Sequence, residues 1–238
     1  MDDVPITPSA RRINALAAAL GARRYLEIGV NEGATFRAVR CPERSGVDPQ
    51  FLFDPASLAD RNTRLYAMPS DRFFARLPFE RRFDIVFIDG LHRFEQAYRD
   101  LMNAMLHAHD RTVFLIDDTL PSDVYSALPD QQAALAARRA AGGSNLDWHG
   151  DVYKVVAAIH DMHPGLDYRT IRDGPDNPQT LVWRSKAGGR QPRFPGFEAI
   201  ARLGYFDLLD DLGLLRPATE QAAIAACLAG LPAGTGCP

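Results

Sequence analysis

The 238-residue sequence predicts an α/β domain on a doubly wound, mostly parallel sheet of seven strands, with helices on both faces and a helical C-terminal appendage. Three observations carry this. Apolar runs of strand length alternate with stretches of helical spacing from residue 24 to residue 185. Two runs, at 83–89 and 112–118, are apolar nearly throughout, as strands buried on both faces are. Both end in acidic residues, and the first strand runs into a glycine-bearing turn, so polar groups collect at the strand ends where such sheets bind ligands.

The elements follow in order. Pro8 and Ser9 offer a helix start, and Ile13, Leu16, Ala17 and Leu20 keep helical spacing until Gly21 stops them. A strand at 24–30 leads through the turn into a helix at 34–39. Short strands follow at 45–48 and 65–68, then the long run at 83–89, a helix at 94–108 and the strand at 112–118. Residues 120–150 interrupt the alternation with a proline-bearing loop and an alanine- and arginine-rich stretch ending in Gly142 and Gly143, and are read as an insertion over the ligand-bearing edge. A helix at 152–160 and strands at 167–171 and 180–183 close the sheet, with Pro175, Asn177 and Pro178 marking their turn. After 186–189 the tail shows helical spacing at 197–209 and 217–231. The expected division is a Rossmann-like domain over 8–185 and a helical segment over 190–238 that caps the site or mediates a homo-oligomer.

Composition narrows the function. With 46% apolar and 24% charged residues the chain can bury a core, so wholesale disorder is excluded. A net charge of −3 offers no basic face, and the arginine pairs 11–12, 23–24, 81–82 and 138–139 read as scattered solvated surface, so no nucleic-acid partner is expected. Cys41, Cys227 and Cys237 are odd in number and lack metal or disulfide spacing. No apolar run reaches membrane-spanning length and the N-terminus lacks signal-peptide features, so a cytoplasmic location and no membrane partner are expected.

Glu27, Gly29 and Gly33 lie in the turn between the first strand and its helix, where glycine lets the backbone bend sharply and approach a ligand. Glu27 stands where a dinucleotide fingerprint would place its leading glycine, which disfavours a pyrophosphate. Asp48, 21 residues further on at the end of the second strand, is placed to accept both ribose hydroxyls of a nucleoside. An adenosine-containing ligand follows.

A second constellation sits at the next strand ends: Asp89 and His92 after the fourth, Asp117 and Asp118 after the fifth. Three convergent carboxylates repel one another unless a cation neutralises them, and oxygen donors suit Mg²⁺. Adjacent strand residues face opposite ways, so Asp117 and Asp118 share a ligand only if the backbone turns there. In the alternative reading Asp118 caps a turn, Asp89 forms one with Gly90, and no metal binds. His92 is a chemically adequate proton acceptor near neutral pH; the other reading makes it a helix-start residue or itself a metal ligand. His107, His109, His160 and His163 read as surface groups near helix ends.

The E-x-G-x-x-x-G pattern at 27–33 resembles the first motif of class I S-adenosylmethionine (SAM)-dependent methyltransferases. That resemblance implies SAM as cofactor, held at Glu27, Gly29, Gly33, Asp48 and Asp89, with Ser70 and Asp71 near the adenine amino group. The strand-end acids resemble those of catechol O-methyltransferase and its metal-dependent relatives. This implies Asp89, Asp117 and Asp118 as metal ligands, with His92 where those enzymes carry a lysine base. The run at 87–98 is similar to a bacterial branch with an IDG-x-H motif, and 148–154 to its W-x-G-D-V-W/Y-K segment, where Asp151 and Lys154 either line the acceptor pocket or cap and pair structurally. The implied reaction is methyl transfer to a hydroxyl of a small molecule such as a sugar or secondary metabolite. The rival readings are a metal-independent O- or N-methyltransferase and a silent SAM-binding scaffold.

Overall fold

A computed structural model describes residues 6–58, 60–185 and 190–232. The first helix, α1 (Pro8–Leu20), is capped by Thr7, whose side chain accepts from the Ala10 N–H, and ends at Gly21. Then come β1 (Arg24–Ile28), α2 (Ala34–Ala38), β2 (Glu43–Asp48), β3 (Thr63–Ala67), α3 (Ser70–Phe74), β4 (Phe83–Ile88), α4 (Phe94–Leu106) and β5 (Ala108–Ile116). The second half holds α5 (Gln131–Ala140), α6 (Tyr153–Met162), β6 (Leu166–Ile171), β7 (Gln179–Arg184), α7 (Phe197–Ala201), α8 (Tyr205–Asp210), β8 (Pro217–Ala218) and α9 (Glu220–Gly230).

The strands form one sheet in the order β3-β2-β1-β4-β5-β7-β6-β8. β7 runs antiparallel to β5 and β6, and the other pairs are parallel. Seven strands were expected; the eighth is the two-residue β8, which pairs with Thr170 and Ile171 at the outer edge. It is too short to carry a periodic signal and lies at the start of the stretch whose spacing predicts a helix over 217–231. Pro217 suits that place, because an edge strand has no inner ladder bond for it to break.

Alternation along the strands sorts side chains into two layers. On one face Leu26, Val86 and Phe114 pack with Phe94 and Leu101 of α4 and Val156 and Ile159 of α6. On the other, Tyr25, Ile85, Val113 and Trp183 pack with Ile13 and Leu16 of α1 and Cys227 of α9. The tail joins both layers: Ile200, Leu208, Leu214 and Leu215 are buried in the first, Cys227 and Leu231 in the second. The single helix expected over 197–209 is two short ones, with α8 starting afresh at Gly204.

The insertion folds back on itself. Arg138, 3% exposed, donates to the Asp123 carboxylate and to the Asn145 and Asp147 carbonyls, while the Trp148 indole donates to the Leu128 carbonyl. Arg138 and Arg12 (1% exposed) were expected as solvated surface; each is buried because it satisfies several acceptors at once. Two histidines correct the surface reading as well. His107 is buried against Phe74, and His160 bonds the Tyr168 hydroxyl, which in turn donates to the Leu214 carbonyl. Cys41 and Cys227 are free thiols, whereas Cys237 and residues 186–189 lie outside the described residues. No helix among the described residues is long and apolar enough to cross a membrane.

Candidate functional site

The carboxyl ends of β1, β2, β4 and β5 open on a cavity of about 770 Å³, lined among others by Glu27, Gly29, Asp48, Ser70, Asp89 and Asp118. Gly29 has φ +86°, and a Cβ there would lie 1.8 Å from the Asp89 carbonyl oxygen, so the close approach of the segments that follow β1 and β4 requires glycine. Asp48 shapes the floor: one carboxylate oxygen accepts the Val30 and Asn31 N–H groups at 2.9 and 2.8 Å, the other accepts from Gln50 at 2.8 Å. Glu27 lies inside the wall at 1% exposure, accepts the Tyr25 hydroxyl at 2.5 Å, and burial holds its carboxyl well above the ordinary range.

Gly33 caps α2 beside Phe53, outside the residues that line the cavity. Ser70 reaches the cavity, whereas Asp71, its expected companion, is turned away into an ion pair with Arg99. Two residues of α4 that the sequence did not single out line the same wall. Gln96 donates to Ser70 and to Asp100, and burial pushes the Asp100 carboxyl, 1% exposed, up to about 6. The signal in the sequence was their i,i+4 spacing, which puts them on one helix face.

Beside the cavity Asp89, His92 and Asp118 converge, with one donor atom from each lying within 4.8 Å of the others. His92 Nε2 is 3.0 Å from Asp118 Oδ2 and 3.6 Å from Asp89 Oδ1. Its Nδ1 lies 2.8 Å from the Trp148 carbonyl, which can only accept, so Nδ1 carries a hydrogen and Nε2 faces the acids. The imidazole also stacks on the Trp148 indole, centroids 4.8 Å apart. The approach needs Gly150: at φ +61° a Cβ there would lie 1.6 Å from the His92 carbonyl oxygen.

The backbone turns at Asp118, whose φ is +60°, and Asp117 and Asp118 come to share one partner, the Asn177 amide. Asp117 stands apart from the three-residue cluster. Its oxygens accept from Asn177 at 2.6 Å, the Asp118 N–H at 2.9 Å and Gln179 at 3.0 Å, which leaves it an anchor where a ligand was expected. Burial raises all three acids, Asp117 to about 7. Burial lowers His92, but its contact with Asp89 and the charges of Asp118 and Asp89 outweigh that and raise it to about 9.

A second cavity of about 680 Å³ shares Asp118 and Asn177 with the first. Trp148 and His149 from the insertion and Tyr205, Leu209 and Leu212 from the tail form much of its wall. Asp151 and Lys154 stay outside. Asp151 accepts the Phe94 N–H at the start of α4, and Lys154 donates to Asp151 and the Ala201 carbonyl, so this pair clamps α4, α6 and the tail together.

Residues 26–119 match a family model described as a methyltransferase domain. Solved structures share the fold. The O-methyltransferase TomG from Streptomyces achromogenes, in complex with SAM, is 16% identical over 77% of this chain and 83% of its own, with a TM-score of 0.54. Cofactor-bound Rv0187 from MTB is 20% identical over 79% and 86%, with a TM-score of 0.51. An O-methyltransferase from Bacillus cereus in complex with SAH is 16% identical over 77% and 84%, with a TM-score of 0.50. No curated protein matches the sequence.

Proposed function

We propose that this chain, a SAM-dependent methyltransferase by its domain and fold, methylates a hydroxyl group of a small-molecule acceptor at a site assisted by a divalent cation. The observation that carries the reading is that two cavities meet at Asp118 and Asn177, beside Asp89 and His92. The first takes the methyl donor. The second, within the range of small-molecule pockets, takes the acceptor.

The residues fit a cation. Two carboxylates and an imidazole nitrogen face one point, and without a positive charge there Nε2 must itself hold a proton between the acids. The mixed oxygen and nitrogen set suits Mg²⁺ or Mn²⁺. Asp89, His92 and Asp118 are the residues that would hold the cation, and it would supply a Lewis-acid contact that lowers the pKa of an acceptor hydroxyl. His92, expected as the base, is then better placed as a ligand, since Nδ1 is committed to Trp148 and Nε2 to the acids. Asp89 turns Oδ1 toward the cluster, and its second carboxylate oxygen, on a side chain that keeps 32% exposure, is the group placed to take the hydroxyl proton. SAM supplies the methyl group, the O–C bond forming as the S–C bond breaks. Gly29 and Asp48 fix the donor side, Trp148 and Tyr205 bound the acceptor side, and the rate follows from holding the two in line.

A second reading rests on the 3.0 Å contact between His92 and Asp118. Without a cation, His92 Nε2 is the base and the acids stabilise its imidazolium. With His92 raised to about 9, activity in EDTA would climb as pH approaches that value.

Calorimetric titration with S-adenosylhomocysteine, with Mg²⁺ and in EDTA, with NAD as control, tests both. Micromolar binding of the homocysteine compound and none of NAD is expected. Absence of that binding overturns the methyltransferase reading, and turnover of a hydroxylated acceptor undiminished in EDTA replaces the cation-assisted reading with the second.

A further inference from the structure

Asn177 lies in the connection between β6 and β7, far from the acids in sequence, yet its amide nitrogen donates to Asp117 Oδ1 at 2.6 Å and Asp118 Oδ1 at 2.9 Å. An amide nitrogen has two hydrogens, so these bonds use both. They also sort the oxygens of Asp118: Oδ1 is tied back, and Oδ2 is left 3.0 Å from His92 Nε2.

With its nitrogen donating to both acids, the amide has its oxygen on the opposite side. Its oxygen therefore faces His149 Nε2 at 3.1 Å, and that nitrogen must carry the hydrogen. His149 Nδ1 is left buried without a partner. Burial lowers His149, whose Nε2 lies 3.9 Å from Asp118 Oδ1. The pair is anchored from behind: Arg12 donates to the Asn177 carbonyl at 3.0 Å, to Gln179 at 2.7 Å and to Glu220 of α9 at 3.1 Å.

We propose that Asn177, held in one orientation by His149, is the positioning residue of the cation site, fixing Asp118 so that one oxygen faces the ligand point and Asp117 stays out of it. This rests on the cation reading above. Groups that orient metal ligands typically alter metal affinity about 10–100-fold when removed, which sets the expected effect.

The test is Mn²⁺ binding to the full chain, by calorimetry and by electron paramagnetic resonance, with circular dichroism and thermal melting as fold controls. Asn177→Leu should weaken Mn²⁺ binding by about 10–100-fold. His149→Leu should weaken it in the same direction, and His149→Gln, whose amide N–H can replace the ring N–H, should restore most of the loss. Unchanged Mn²⁺ affinity in folded Asn177→Leu, or equal losses in His149→Gln and His149→Leu, overturns the proposal while leaving the cation site standing. Should Asn177→Leu fail to fold, the two His149 variants decide. No Mn²⁺ binding by the parent chain overturns the cation reading and this proposal together, whatever its binding of S-adenosylhomocysteine.

Discussion

The two cavities are built in different ways. The first cavity takes most of its groups from segments that follow strands: Gly29 after β1, Asp48 at the end of β2, Ser70 after β3, Asp89 after β4 and Asp118 after β5. The second cavity takes its groups from the insertion, the β6–β7 connection and the tail, so that Trp148, Asn177 and Tyr205 meet across long stretches of chain. A sheet of parallel strands brings its carboxyl ends together whatever the loops do. In the wall of the second cavity, Arg138 ties the insertion back on itself and Arg12 ties the β6–β7 connection to α9. One cavity is a property of the sheet; the other depends on buried polar contacts around it.

Each region has a glycine that meets a carbonyl of the other strand end or loop: Gly29 against Asp89, Gly150 against His92. Replacing them separates the two halves of the site. Gly29→Ala should have the largest effect, since its Cβ would overlap backbone at positive φ: a cost of about 3 kcal/mol or more in stability. Loss of at least ~100-fold in S-adenosylhomocysteine affinity is expected with it, read by melting and calorimetry. Binding close to that of the parent chain would show that the close approach of the segments that follow β1 and β4 is not what shapes the first cavity.

Gly150→Ala should displace Trp148 and His92 but leave β1 and β2 alone. Mn²⁺ affinity is expected to fall about 10-fold, while the homocysteine compound binds within about threefold, a difference of at most ~0.7 kcal/mol. Equal losses of both ligands would mean that the two cavities are not independent.

The smallest expected effect is in pH. With Asp117 raised to about 7 from an unfolded value near ~3.9, the folded state binds the extra proton between those values, so stability falls as pH rises through them. The stability His92 contributes is present below ~6.5 and is lost as pH rises through about 9, in the same direction. Cation-free protein should therefore melt lower at pH 8 than at pH 5.5, by about 2–4 °C for each kcal/mol lost. Mn²⁺ should reverse the drop. A melting temperature that rises with pH in EDTA would contradict the assignment of an uncompensated acidic cluster.

The alternation of strands and helices, the glycine turn after the first strand and the gathering of acids at the ends of the fourth and fifth strands were legible in the sequence, because apolar runs mark strands and parallel strands bring their ends together; that His92 rather than Asp117 joins Asp89 and Asp118 was not. Asp71 was misplaced for a local reason: the backbone leads it to the site, but Arg99 on α4 claims its carboxylate. Asp117 and Asp118 are neighbours in sequence, and only the left-handed turn at Asp118 and the donors from Asn177 and Gln179 tie Asp117 back and leave Asp118 facing His92. The tail read as an appendage because helical spacing does not say which core a helix enters, and this one enters both. By itself the sequence determined the sheet and the chemistry available at its edge. Tertiary structure decided which of those groups face one another, because that depends on hydrogen bonds between residues as distant as Asp117 and Asn177, for which local pattern carries no signal.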